Sequence, residues 1–146
     1  ESRGYLEFFN QVVVYGDRNG ANNDTRGTRS DYDLIMSYLE KYERMDGSTP
    51  FKKKETIWLR VPMSNPSVRM RHNKVNAAFQ NDAGEVTLLI TDNCKVTIKG
   101  FKLTALKPGA DYVEDDSKPY QHVTTAVGYC VVSRSKTPRQ PRVQRH

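Results

Sequence analysis

Cationic and aromatic side chains occur close together in one stretch of this 146-residue chain. KKKETIWLRVP (52–62) contains the only tryptophan, Trp58, and the parity of a strand places Arg60 beside it on the face opposite Ile57. Single-stranded nucleic acid is bound by cationic grooves with aromatic platforms, where each stacked base contributes roughly 1–3 kcal/mol. These residue types in this order therefore predict a surface that binds single-stranded nucleic acid.

The candidate contact residues share a positive charge or an aromatic ring on a predicted outer face. For Trp58 the alternative is burial under a loop or a partner protein, and any one lysine could be an ordinary solvated side chain. Aromatic residues in strands are also more often buried than exposed. The candidates are Lys52, Lys53, Lys54, Trp58, Arg60, Arg69, Arg71, Lys95, Lys99 and Phe101.

Catalytic and metal-binding patterns have little support in the sequence. The three histidines do not stand at metal-ligand spacing with Cys94 and Cys130, which we interpret as reduced structural thiols. No nucleophile elbow and no glycine-rich phosphate loop follows a predicted strand. DYVEDD (111–116) lacks the spacing of an EF-hand and is interpreted as a solvated acidic loop. We expect no enzyme activity, no cofactor, no metal ion and no small-molecule substrate.

The composition indicates one domain with a real core and a basic surface. Lys and Arg total 23 against 17 Asp and Glu, which gives a formal charge of +6, and the mean hydropathy is −0.75. A basic balance is compatible with a polyanionic partner. No apolar run reaches membrane-spanning length, so we expect no membrane association. Since the chain begins ESRGYLEFF without an initiator methionine, we expect a trimmed piece of a longer protein.

The elements that would position these residues are mostly strands. The order is β–loop–β–loop–β–helix–β–loop–β, in which 32–45 fits both a strand and a helix and is assigned as a strand from its context. Long polar loops are predicted at 17–31, 46–54 and 107–120, and a disordered basic tail at 134–146. The predicted strands are 8–16, 32–45, 55–63, 94–103 and 122–133, with a further β-rich stretch at 85–91 and one helix at 64–79.

This order resembles the OB-fold, and the local sequences resemble single-stranded-DNA-binding proteins of the bacterial and mitochondrial type. The resemblance rests on NQVVVYG (10–16), ETIWLRVP (55–62), KVTIKGFKL (95–103) and TTAVGYCVV (124–132). It implies an all-β chain with one helix, namely a five-stranded OB-fold Greek-key barrel over residues 1–133 with the helix between strands three and four. It further implies that Trp58 stacks on a base and that Arg60 contacts the phosphate backbone. Ile57, Leu59 and Val61 would face the barrel interior.

Departures from that family suggest a second resemblance, to OB-fold interaction proteins of trypanosomatid mitochondrial RNA-editing complexes. The tail is basic rather than acidic, and the loop at 107–120 carries acidic residues that would repel phosphates. This resemblance implies an RNA-binding module in a mitochondrial multi-subunit complex, with other OB-fold proteins as partners. The alternative is a scaffold that binds other OB-folds and has little affinity for RNA or DNA.

Overall fold

The computed structural model describes residues 4–22 and 28–135, and the chain divides into two compact units. Unit 1 is Glu1–Asn65 and unit 2 is Pro66–His146. The regular elements are β1 Val12–Tyr15, α1 Asp31–Glu40, β2 Ile57–Arg60, α2 Val68–Phe79, α3 Lys95–Leu103 and α4 Tyr120–Ser135, with short 3-10 turns at Tyr5–Glu7 and Asn19–Ala21.

Unit 1 is built on a parallel pair of strands. β1 and β2 pair from Val12 with Ile57 to Tyr15 with Arg60, and α1 lies in the segment that connects them. Parallel strands require such a crossover, because a tight turn can join only antiparallel neighbours. The core of the unit consists of Met36 and Leu39 from α1 together with Phe51 and Ile57.

Helix α1 begins with a capping box. The Ser30 hydroxyl accepts a hydrogen bond from the Asp33 amide at 3.2 Å, and the Asp33 carboxylate accepts one from the Ser30 amide at 3.2 Å. The Ser30 hydroxyl also donates to Asp33 Oδ2 at 2.8 Å, and this bond, together with the bond from the Ser30 amide, holds the pKa of Asp33 below its ordinary value. The buried residues Tyr32, Met36 and Leu39 recur at helical spacing. The prediction of a strand over 32–45 is therefore wrong, because the Ser30 capping box and the burial of residues at helical spacing stabilise a helix from Asp31 to Glu40.

Unit 2 is formed by three helices, with α4 packed against both α2 and α3. Gly100 of α3 is buried against α4, and a β-carbon there would lie 2.3 Å from Val123 Cγ1. Gly128 of α4 lies against the side-chain stem of Arg71 on α2. Small residues thus allow close packing of both helix pairs.

The predicted OB-fold barrel is wrong. The described residues contain two short parallel strands instead of a five-stranded barrel, and the segments 94–103 and 122–133 lie in α3 and α4. Residues 85–91 form no regular strand. Short β-branched segments fit both the strand and the helix period, and packing at the two glycines favours the helix here. An all-β chain with a single helix is therefore excluded.

Three local predictions hold in part. A strand exists within 8–16 and another within 55–63, and the helix predicted over 64–79 begins at Val68, with Ser67 as its N-cap. Residues 134 and 135 of the predicted disordered tail belong to α4 instead. Residues 136–146 of that tail and 23–27 of the predicted loop 17–31 lie outside the described residues. No helix in the described ranges is long and apolar enough to cross a membrane.

Candidate functional site

The first group of predicted contact residues lies in unit 1. Lys52, Lys53 and Lys54 are exposed in the turn before β2, and Arg60 is exposed at the end of that strand. Trp58 is half-buried in β2, in register with Val13. The lysine turn and Trp58 are thus near neighbours in the chain, and stacking on Trp58 stays a prediction.

The predicted burial of Ile57, Leu59 and Val61 on one face of this strand is confirmed fully only at Ile57. Ile57 is 1% exposed and belongs to the core, whereas Leu59 is 42% exposed. Val61 is half-buried and lies beyond the end of β2. The placement of Leu59 in a barrel interior is wrong, because the core cluster of unit 1 extends to Ile57 but not to Leu59.

The second group lies in unit 2, where two of its members are partly or fully buried. Arg71 is 6% exposed, and Phe101 is half-buried with its ring edge-on to Phe79 at 5.1 Å between centroids. Arg69 is exposed, with its guanidinium 3.3 Å from the Asp111 carboxylate. Neither Arg71 nor Phe101 therefore presents a freely exposed contact surface.

Three lysines follow one side of α3. Lys95, Lys99 and Lys102 stand at i, i+4 and i+7, are all exposed, and span about 10 Å along the axis at the helical rise of about 1.5 Å per residue. We call them the lysine row. Helix α3 contains no acidic residue, and within the described parts of the chain these three side chains form no ion pair. Lys99 Nζ lies 5.5 Å from the ring centroid of Tyr120.

The net charge of the protein belongs to unit 2. The sequence of unit 1 carries 10 basic and 10 acidic residues, whereas that of unit 2 carries 13 basic and 7 acidic residues. The whole excess of +6 therefore falls on residues 66–146. Much of it stands in the sequence RSKTPRQPRVQRH (134–146), which has no acidic side chain.

A buried ion-pair cluster joins α2, α4 and the segment before α4. Arg71 Nη2 lies 3.3 Å from Glu114 Oε2, and their side chains are 7% and 11% exposed. Arg71 Nη1 donates to Thr125 Oγ1 at 2.7 Å, and that hydroxyl donates to Glu114 at 3.2 Å. His72 Nε2 lies 2.8 Å from the other carboxylate oxygen, Glu114 Oε1. Arg71 and Glu114 are thus largely shielded from solvent, while His72 is 26% exposed and Thr125 is half-buried.

The acidic loop is partly solvated, as predicted, because the side chains of Asp111 and Asp116 are 96% and 71% exposed, but both of them and Glu114 also have cationic partners. Besides Glu114, Asp111 lies near Arg69, and Asp116 accepts a bond from Lys107 Nζ at 2.6 Å. That bond lowers the pKa of Asp116 and raises the pKa of Lys107. Paired in this way, the loop repels phosphates less than its sequence indicates.

A partly open cavity of about 180 Å³ lies next to the ion-pair cluster in unit 2. Its walls combine apolar and aromatic surface with hydrogen-bonding groups. Arg71 Nε is buried and has no hydrogen-bond partner in the described part of the chain. The lining residues are Arg71, His72, Val75, Asn76, Phe101, Thr104, Tyr112, Thr124 and Gly128.

Sequence reasoning missed Lys102, Glu114 and the cavity. The strand assignment placed Lys95 and Lys99 together and put Lys102 on the opposite face, whereas a test of the helical period joins all three. Glu114 has no comparable signal, because its partner Arg71 is 43 residues away.

No group of three metal-ligating side chains lies close together among the residues that the structure describes. Comparison with protein-family models, with curated proteins and with solved structures finds no match to this chain. The candidate site therefore rests on its own geometry.

Proposed function

We propose that the protein binds single-stranded nucleic acid, with the lysine row of α3 as its principal phosphate-binding surface. The observation that carries this proposal is the alignment of Lys95, Lys99 and Lys102 on one exposed side of a helix that has no acidic residue. Like charges at i and i+4 destabilise a helix by a few tenths of a kcal/mol. An anionic strand that lies along the row would remove this repulsion and release its own counterions.

The charge distribution supports the same surface. Unit 2 carries the whole net charge, and the basic sequence 134–146 would add attraction for phosphates without sequence preference. Action within a mitochondrial nucleoprotein complex, preference for RNA, and lack of enzyme activity stay predictions. The first two rest on the local sequence resemblance and the third on the lack of catalytic motifs in the sequence, and none of them rests on the fold.

The test compares two triple substitutions that remove the same charge. One variant changes the lysine row to glutamine (K95Q/K99Q/K102Q), and the control changes the lysine turn of unit 1 (K52Q/K53Q/K54Q). For single strands the logarithm of the binding constant falls with the logarithm of salt concentration with a slope of about −0.7 per phosphate contact. Loss of three contacts should make this slope shallower by about 2. Between 50 and 200 mM salt, the binding constant of the variant should then fall roughly 20-fold less than that of the wild type.

The expected result is a large change in slope for the lysine-row variant and a small one for the control, measured with a fluorescent oligonucleotide. Equal losses in both variants would mean that only total charge matters and would contradict the proposal. A loss confined to the control would assign binding to the turn before Trp58, as the sequence first predicts. Quenching of Trp58 fluorescence in the same titration tests stacking directly.

A protein-docking role remains as a second candidate because α1 exposes apolar side chains. Leu34, Ile35 and Tyr38 are 54%, 40% and 63% exposed on this helix. Large exposed apolar groups that lie together are typical of interaction surfaces. Sedimentation of the wild type and of L34S/Y38S tests this role, since a self-association that persists unchanged in the variant would exclude this face.

A further inference from the structure

We propose that the cavity of unit 2 binds a neutral six-membered heteroaromatic ring with carbonyl oxygens, the chemistry of a pyrimidine base. The volume is the first argument. The cavity measures about 180 Å³. Engineered protein cavities of about 150 Å³ bind benzene. A single ring with small substituents therefore matches the space.

The walls determine the kind of ring. Phe101, Tyr112 and Val75 provide apolar surface for the faces of a flat ligand. Asn76 lies on the cavity wall, and its side-chain amide can donate a hydrogen bond to a carbonyl oxygen and accept one from a ring N–H group. A hydrocarbon ring can make neither bond and would leave that amide without a partner in the ligand.

The ion-pair cluster determines the charge of the ligand. The guanidinium of Arg71 is already compensated by Glu114, whose side chain is 11% exposed. An anionic ligand would lose hydration on entry and would lie near this carboxylate, while Arg71 could offer it little additional charge. A neutral acceptor avoids both penalties. Carboxylates of the same ring size are therefore disfavoured.

This inference goes beyond the proposed function, because the lysine row concerns phosphates and the cavity concerns a base. The occupant could be a free ring or a base of a bound strand, which share the same recognition chemistry. The two proposals fail separately, since 1-methyluracil carries no phosphate and its binding does not require the lysine row.

The test is a titration of the isotope-labelled full-length chain with 1-methyluracil, followed by the amide resonances of Phe101 and Gly128. We expect saturable shifts with a dissociation constant of about 1 mM, as is reasonable for a ligand of this size. Benzene should bind at least about tenfold more weakly than 1-methyluracil because it has no hydrogen-bond acceptor. Benzoate should also bind at least about tenfold more weakly because its charge must be desolvated. Absence of shifts up to about 20 mM, or equal binding of benzoate, would overturn the proposal.

A glycine substitution provides a variant that narrows the cavity while the fold is retained. In Gly128→Ala the added methyl group would lie 3.4 Å from Arg71 Cβ, an ordinary contact, on the wall of the cavity. We expect at least about tenfold weaker binding of 1-methyluracil with the remaining spectrum preserved. Gly4→Ala is the matched control, because its β-carbon meets nothing within 4 Å and lies outside unit 2. Unchanged affinity in Gly128→Ala would refute the site.

A competition arm identifies the source of the ring. Displacement of 1-methyluracil by a short oligouridylate at low salt would assign the cavity to a base of a strand. Binding without displacement would assign it to a free small molecule. Both outcomes support the site, and only the occupant differs.

Discussion

Alanine in place of Gly100 or Gly128 should change the stability of unit 2 in opposite directions. Both glycines lie within helices, where replacement by alanine stabilises by about 1 kcal/mol through backbone entropy. At Gly128 the new methyl group makes an ordinary contact with Arg71. The Gly128→Ala variant should therefore be more stable than the wild type by about 1 kcal/mol.

At Gly100 the packing opposes this gain. The β-carbon would lie 2.3 Å from Val123 Cγ1, 3.2 Å from the Tyr120 carbonyl oxygen and 3.3 Å from Thr124 Cγ2. The valine methyl can rotate away, but the carbonyl belongs to the backbone of α4 and moves only with that helix. Overpacking of this kind costs about 1–3 kcal/mol, so the net effect should be a loss of about 1 kcal/mol. The two variants should differ by about 2 kcal/mol.

Urea unfolding followed by far-ultraviolet circular dichroism measures this difference. The helices of unit 2 contain 12, 9 and 16 residues against 10 in α1, so they dominate the signal. The midpoint should rise for Gly128→Ala and fall for Gly100→Ala, with similar slopes. A Gly100→Ala protein at least as stable as the wild type would refute the close approach of α3 and α4.

Three further results are expected. Ser30→Ala should destabilise the protein by about 1 kcal/mol through loss of the α1 cap. Because the fold lowers the pKa of Asp33, the stabilisation by its ionised carboxylate is present above the ordinary pKa of 3.8 and is lost as the pH falls through the lowered folded value. The free energies of unfolding of Asp33→Asn and of the wild type should therefore converge in acid. Glu114→Gln should cost about 3 kcal/mol in unfolding experiments, because the buried arginine loses its counter-charge; a loss below about 1 kcal/mol would argue against burial of the pair. Iodoacetamide should alkylate the exposed Cys94 before Cys130, whose pKa is raised by burial, and mass spectrometry of the peptides would detect the opposite order.

The elements that sequence reasoning recovered have strong local signals. The valine run of β1, the alternation of β2 and the Ser-Asn-Pro-Ser segment before α2 each contain their cause within a few residues. The capping pair Ser30 and Asp33 was equally local, and it could have corrected the strand assigned to 32–45.

Helix α4 shows why other elements escaped. Its buried residues are Gln121, Thr124, Gly128 and Val132, which recur at helical spacing but include only one large apolar side chain. A search for an apolar stripe finds none, and the many β-branched residues of the segment favour a strand. The helical period therefore appears in the positions of the buried residues of α4 but not in the positions of its hydrophobic residues.

The amino-acid sequence alone establishes the excess positive charge and its concentration after residue 65, because charge follows from residue type and position. It also determines where helices can start, since caps act over three or four residues. The tertiary structure determines which charges reach solvent. Arg71 and Lys95 are both cations in predicted contact segments, yet one is buried against Glu114 and the other is exposed on α3. Burial depends on which distant partner packs against a side chain, and no local pattern contains that partner.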